Sequence, residues 1–203
     1  MNLASALIVI PALMLSVILH EVAHGLAALW FGDDTAKEEG RLSLNPMVHL
    51  DPIGSVLLPL LCLMAGAPMF GWAKPVPVNF YRLHPERLGT LCVTLAGIVV
   101  NFTLAFVAGM ILRILVQSGE GNLTVIQILV AFVQINLMLA IFNLLPIPPL
   151  DGWRLWGVWI PDEIRMRIES NSMVSMLLLI MVMQFIPIGS AVRLLFGLIV
   201  GIR

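Results

Sequence analysis

Five stretches of this chain, residues 1–20, 52–73, 88–112, 121–150 and 170–192, contain no Asp, Glu, Lys or Arg. Each reaches the ~20 residues that an α-helix needs to cross a bilayer. Composition agrees, with 60% hydrophobic and 11% charged residues against about 45–50% and about 25% in soluble domains. Backbone groups in lipid must be satisfied within their own segment, which selects helices. The expected fold class is therefore all-α, a polytopic transmembrane helical bundle. With 203 residues, most of them apolar, the expected organisation is one integral membrane domain, 1–203, whose main partner is the lipid bilayer. A formal net charge of −1 leaves no broad basic surface and argues against nucleic acid. Cys62 and Cys92 show no ligand spacing and read as buried free thiols.

The five runs are not equivalent. The second holds Pro52, Gly54, Pro59, Gly66, Pro68 and Gly71 and continues into Lys74-Pro75-Val76-Pro77-Val78, which reads as an edge strand rather than a helix. Broken backbone at membrane depth is tolerated only where protein or a water-filled cavity satisfies it. Residues 52–78 are thus expected to form a re-entrant, β-like insertion lining a site. The remaining runs predict a three-helix core at about residues 2–31, 88–112 and 123–146 within a unit of about 2–152, with one or two C-terminal helices over about 153–203. The N-terminal run lacks a preceding Lys or Arg and carries functional residues, so it is expected to be a retained span.

Those residues are His20-Glu21-Val22-Ala23-His24. On a helix, positions four apart share a face, so both imidazoles can reach one metal ion while Glu21, turned about 100° away, can address a metal-bound water. Histidines and carboxylates at bilayer depth are functional-site hypotheses by default. A catalytic zinc takes three protein ligands and keeps a fourth position for water. His49, Asp51, His84 and Asp151 are the candidates for the third, and Asp151 is preferred because it lies in a proline-rich turn before Gly152, where a carboxylate is hard to explain as packing. Asn45-Pro46 and Asp51-Pro52 are turn signals, so His49 and Asp51 are expected to shape a loop. If residues 52–78 dip rather than cross, Asp151 emerges on the same side as His24. The same topology gathers Lys37, Arg41, Lys74, Arg82, Arg87, Arg154, Arg165 and Arg167 on one face, opposite a 113–122 loop carrying Arg113. By the positive-inside rule the site then faces the cytoplasm of a cell membrane, with the N-terminus outside.

Five segments carry a resemblance: the HExxH, residues 40–54 (GRLSLNPMVHLDPIG), 70–79 (FGWAKPVPVN), 96–101 (AGIVVN) and 143–152 (NLLPIPPLDG). Together they are similar to the site-2 protease family of intramembrane zinc metalloproteases, in the compact form lacking a PDZ domain. The resemblance implies that His20, His24 and Asp151 bind one catalytic Zn²⁺ and that Glu21 is the base. It implies a transmembrane protein substrate cut within or near its membrane segment, with Asn101 in substrate contact. Asn143, which opens the last motif, is a further candidate for the substrate, and Val76 and Val78 could accept an unwound substrate by strand pairing. For Gln134 and Asn136, interhelical hydrogen bonding is the preferred reading. The alternative function is a membrane protein that binds or transports zinc without cutting peptides, which would need several polar stations along a pore.

Overall fold

In the computed structural model, residues 3–65, 71–170, 175, 177, 179, 181 and 185–201 are described. Helix α1 (Leu3–Trp30) is followed by the short α2 (Thr35–Glu38), a 3₁₀ turn at Pro46–His49, a π-helical turn at Pro52–Leu57 and α3 (Leu58–Ala65). After a 3₁₀ turn at Phe80–Arg82 come α4 (Glu86–Ser118), α5 (Leu123–Asn143), α6 (Asp151–Gly157), α7 (Asp162–Glu169) and α8 (Ile188–Val200).

Three segments, Ser5–Trp30, Glu86–Ser118 and Leu123–Asn143, are long and apolar enough to cross a membrane, and α1, α4 and α5 pack against one another as the core. Large apolar side chains such as Leu7, Phe106 and Leu198 stand outward, as expected of a bundle whose surroundings are themselves apolar. The buried apolar side chains include a cluster at each end of the core. Ala105, Ala108, Val133 and Leu137 meet Ile188 and Val192 of α8 at one end, and Ala28, Leu83 and Val93 meet at the other.

Local chemistry explains where the elements stop. Helix α4 runs through Arg113 to Ser118 and ends at Gly119, whose φ of 70° lies in the left-handed region that favours glycine. The expected end at residue 112 therefore falls short: a charge at a membrane boundary does not break a helix, whereas glycine does. Asn122 then caps α5, its side-chain oxygen accepting from the Thr124 N–H at 2.8 Å.

The insertion also differs from expectation. Residues 71–79 form neither helix nor strand. Pro75 and Pro77 remove the N–H groups a ladder would need on one edge, and the backbone binds side chains and loop carbonyls instead. The described helical part of the insertion comprises Pro52–Leu57 and α3. The chain then comes back to where it left. The Trp72 N–H donates to Gly54 O at 3.2 Å and the Ser55 hydroxyl to Trp72 O at 2.8 Å. Residues 66–70, including Phe70 of the quoted motif, and residues 171–174, 176, 178, 180 and 182–184 of the expected last span at 170–192 lie outside the described residues.

Candidate metal centre

His20 and His24 lie one turn apart in the last third of α1, side by side and buried. They face α4 at Gly97. A Cβ there would lie 2.6 Å from His20 Cε1 and from His24 Nε2, so any larger residue would push the imidazoles away. Above and below that gap, α4 supplies two acceptors. The Val93 carbonyl accepts from His24 Nδ1 at 2.7 Å, and Asn101 Oδ1 takes His20 Nδ1 at 2.8 Å. Both rings thereby turn Nε2 toward the same point.

The third group arrives from the turn after α5. Residues 144–150 fold on themselves through bonds such as Ile147 N–H to Leu145 O at 2.8 Å and Leu150 N–H to Ile147 O at 2.9 Å. Gly152 then presses against the end of α5, where a Cβ would collide with the carbonyl oxygens of Leu144 and Leu145. Asp151, immediately before it, reaches the histidines: Oδ2 is 3.0 Å from His20 Nε2 and 3.2 Å from His24 Nε2, and the two Nε2 atoms are 3.0 Å apart. Burial works to raise the Asp151 pKa, but contact with the two imidazoles reverses this and holds the carboxyl well below its usual range.

This donor set fits zinc. Tetrahedral zinc with bonds of ~2.0–2.2 Å sets neighbouring donors about 3.3 Å apart, close to the spacings found. With hydrogen on Nδ1 of both rings, the two Nε2 lone pairs and the carboxylate oxygen converge on one point and repel unless a shared cation takes the place of a proton between them. Among the described residues, His20, His24 and Asp151 are the group of His, Cys, Asp and Glu placed to hold a metal ion. His49 instead bonds the Ser43 carbonyl at 2.7 Å, and Asp51 caps the π turn by accepting from the Ile53 and Gly54 N–H groups. His84 is exposed and bonds Arg82 O.

Glu21 is held differently. Its Oε2 accepts the Val76 N–H at 2.7 Å. The carbonyl of the same peptide unit, Pro75 O, accepts from Arg41 Nη2 at 3.2 Å, and Lys74 O accepts from the same nitrogen at 2.8 Å. One amide plane thus bridges a buried guanidinium and the Glu21 carboxylate. The strap continues to Asn79, whose N–H donates to the buried Asp33 at 2.7 Å. Val76 is buried beneath this network and Val78 packs into the Ala28–Leu83–Val93 cluster.

The candidate substrate residues are placed as follows. Asn101 is fully buried behind His20, its amide occupied at one end by that ring and at the other by Asn136 Oδ1 at 3.1 Å. Asn143 bonds back to Leu139 O at 3.1 Å. Asn136 is interhelical, as its type and setting imply, while Gln134 is exposed. Gly97, the Val93 carbonyl, Ser16 and Arg41 were not singled out as site components by sequence reasoning. The Ala-Gly pair at 96–97 was a visible signal for close helix approach; for a backbone carbonyl there is none.

Known proteins bear on this geometry. Residues 114–188 match Peptidase family M50. The chain is 40% identical over 188 residues to a Bacillus subtilis protein named "Putative zinc metalloprotease YwhC", covering 89% of this chain and 81% of that protein. It is 34% identical over 146 residues to "Putative zinc metalloprotease Rip2" of Mycobacterium tuberculosis, covering 71% of this chain and 54% of that protein. The same-named protein of Mycolicibacterium smegmatis is 30% identical over 148 residues, with 72% and 55% covered. The chain thus spans about half the length of its mycobacterial relatives. No solved structure matches it.

Proposed function

The chain belongs to peptidase family M50, the site-2 protease family of zinc metalloproteases, and from that premise we propose that it hydrolyses peptide bonds of membrane proteins within or near their transmembrane segments. His20, His24 and Asp151 hold one zinc ion in this reading, and Glu21 is the base. The observation that carries it is the convergence of His20 Nε2, His24 Nε2 and Asp151 Oδ2 within 3.2 Å of one another beside a carboxylate on the same helix.

Zinc bound there would lower the pKa of a coordinated water toward about 7 and polarise the scissile carbonyl. Glu21 then takes the water proton as the water oxygen bonds the carbonyl carbon. When the C–N bond breaks, the same carboxyl returns the proton to the leaving nitrogen, so Glu21 ends as it began. Val76 engages one Glu21 oxygen, which fixes the carboxylate and leaves the other to accept the proton. A substrate helix must unwind locally to expose its peptide bond, and the strap at Val76–Val78, beside the base, is where an unwound segment would lie.

We place the site toward the cytoplasm, with the excursion between Gly54 and Trp72 re-entering the membrane from that side and the helices of 1–203 acting as one membrane unit. A zinc transporter would need several polar stations open along a pore. Behind the metal centre stand Ser16, Asn101 and Asn136, all neutral, fully buried and bonded to one another, which favours the protease. Cleavage of a transmembrane reporter by wild type and Glu21→Gln tests the assignment: the variant is expected to keep zinc and lose at least a thousandfold in rate, on the order of what removing a catalytic group costs. Cutting at the wild-type rate would remove Glu21 from this role.

A further inference from the structure

We infer that Asn136 and Ser16 are positioning residues for the metal centre: together they dictate which end of the Asn101 amide faces His20, and so which nitrogen of His20 is left to bind metal. This rests on the reading of His20 as a ligand. The argument follows hydrogen-bond polarity from two backbone carbonyls, groups that can only accept. Ala12 O takes the Ser16 hydroxyl proton at 2.7 Å. With that proton used, Ser16 Oγ can only accept from Asn136 Nδ2, 2.8 Å away. Phe132 O takes the other proton of the same Nδ2 at 2.9 Å. Both amide protons of Asn136 are then committed, and its Oδ1 must face Asn101 Nδ2, at 3.1 Å.

That leaves Asn101 no choice but to present Oδ1 to His20, at 2.8 Å from Nδ1. An amide oxygen only accepts, so Nδ1 carries the hydrogen and Nε2 keeps the lone pair aimed at Asp151 and His24. Ser16, Asn101 and Asn136 are each fully buried, so water cannot substitute for a missing partner. His24 needs no such chain, because the Val93 carbonyl fixes its Nδ1 directly. The two ligands are therefore oriented by different devices: one backbone carbonyl for His24, and a relay across α1, α4 and α5 for His20.

Asn136→Leu removes the acceptor for Asn101 Nδ2, which frees Asn101 to turn its NH₂ toward His20 and favour hydrogen on Nε2, the atom that must bind metal. Zinc affinity of the full chain in detergent, measured by competition with a chromophoric chelator, is expected to fall about 10- to 100-fold, the range for loss of an outer-shell partner. Ser16→Ala should lose less, since Phe132 O still orients Asn136. The discriminating variant is Asn101→Asp combined with Asn136→Leu, because an ionised carboxylate presents an acceptor to His20 in either orientation. Its zinc affinity should return toward wild type, which a general packing role for Asn136 would not produce. Wild-type affinity in Asn136→Leu, or no recovery in the double variant, overturns the relay. If Asn136→Leu alone fails to fold, recovery or non-recovery in the folded double variant decides, and a double variant that also fails to fold counts as non-recovery. Should His20→Ala bind zinc as wild type does, the ligand assignment itself fails, an outcome separate from these.

Discussion

Two proline-broken segments flank the metal centre, and they hold their backbones in opposite ways. The turn at 144–150 bonds mainly to itself and to the end of α5, so it is a local structure that presents Asp151 wherever α5 places it. The strap at 71–79 makes nearly all its bonds over long range, to Gly54, His49, Arg41, Glu21 and Asp33, and exists only once those groups are assembled. The contrast separates two functions. The turn should govern metal binding, and the strap should govern the base without touching the metal.

The comparison breaks most severely at Gly152. Gly152→Val is expected to abolish stable zinc binding, since the added Cβ meets two main-chain oxygens that cannot rotate away; the zinc content of purified protein reads this. Retained stoichiometric zinc would mean that the turn is not what sets Asp151. Next is Gly97→Ala, which attacks the same metal from the helix side. Overpacking against two imidazoles costs about 1–3 kcal/mol, so chelator competition should show zinc affinity down roughly 10- to 100-fold.

Arg41→Leu sharpens the difference from the strap side. Losing charged hydrogen bonds to two carbonyls is worth about 1.5–3 kcal/mol each, and reporter cleavage should fall at least about tenfold while zinc stays bound. Joint loss of zinc and activity would collapse the proposed division of labour. The smallest effect is expected for Asn143→Ala, which gives up one bond within its own helix and should leave cleavage within about twofold and stability within about 0.5 kcal/mol. A tenfold loss of cleavage there, with zinc intact, would instead place Asn143 against substrate.

How much of this was legible in the sequence depends on range. The pairing of His20 with His24 follows from helical periodicity, and the three long helices follow from runs without charge. The proximity of Asp151 required a topological argument but no side-chain detail. The strap differs from the expected strand because Lys74 to Val78 has the right residues locally, while its actual partners lie 25 to 55 positions away in sequence. Trp153 is buried with its indole N–H on Glu169 at 3.1 Å, whereas Trp156, one turn further along the same short helix, is exposed, a difference that residue type alone does not signal. Support groups such as the Val93 carbonyl cannot be named before the register of α4 against α1 is known.

That register has a wider consequence. Val93, Gly97 and Asn101 recur every four residues along α4, and each serves the imidazoles in a separate way: as acceptor, as clearance and as amide. Should the two helices pair one residue out of step during insertion, all three services would vanish together. A misassembled copy would then be chemically silent, and hydrolytic competence itself certifies that the bundle has been put together correctly.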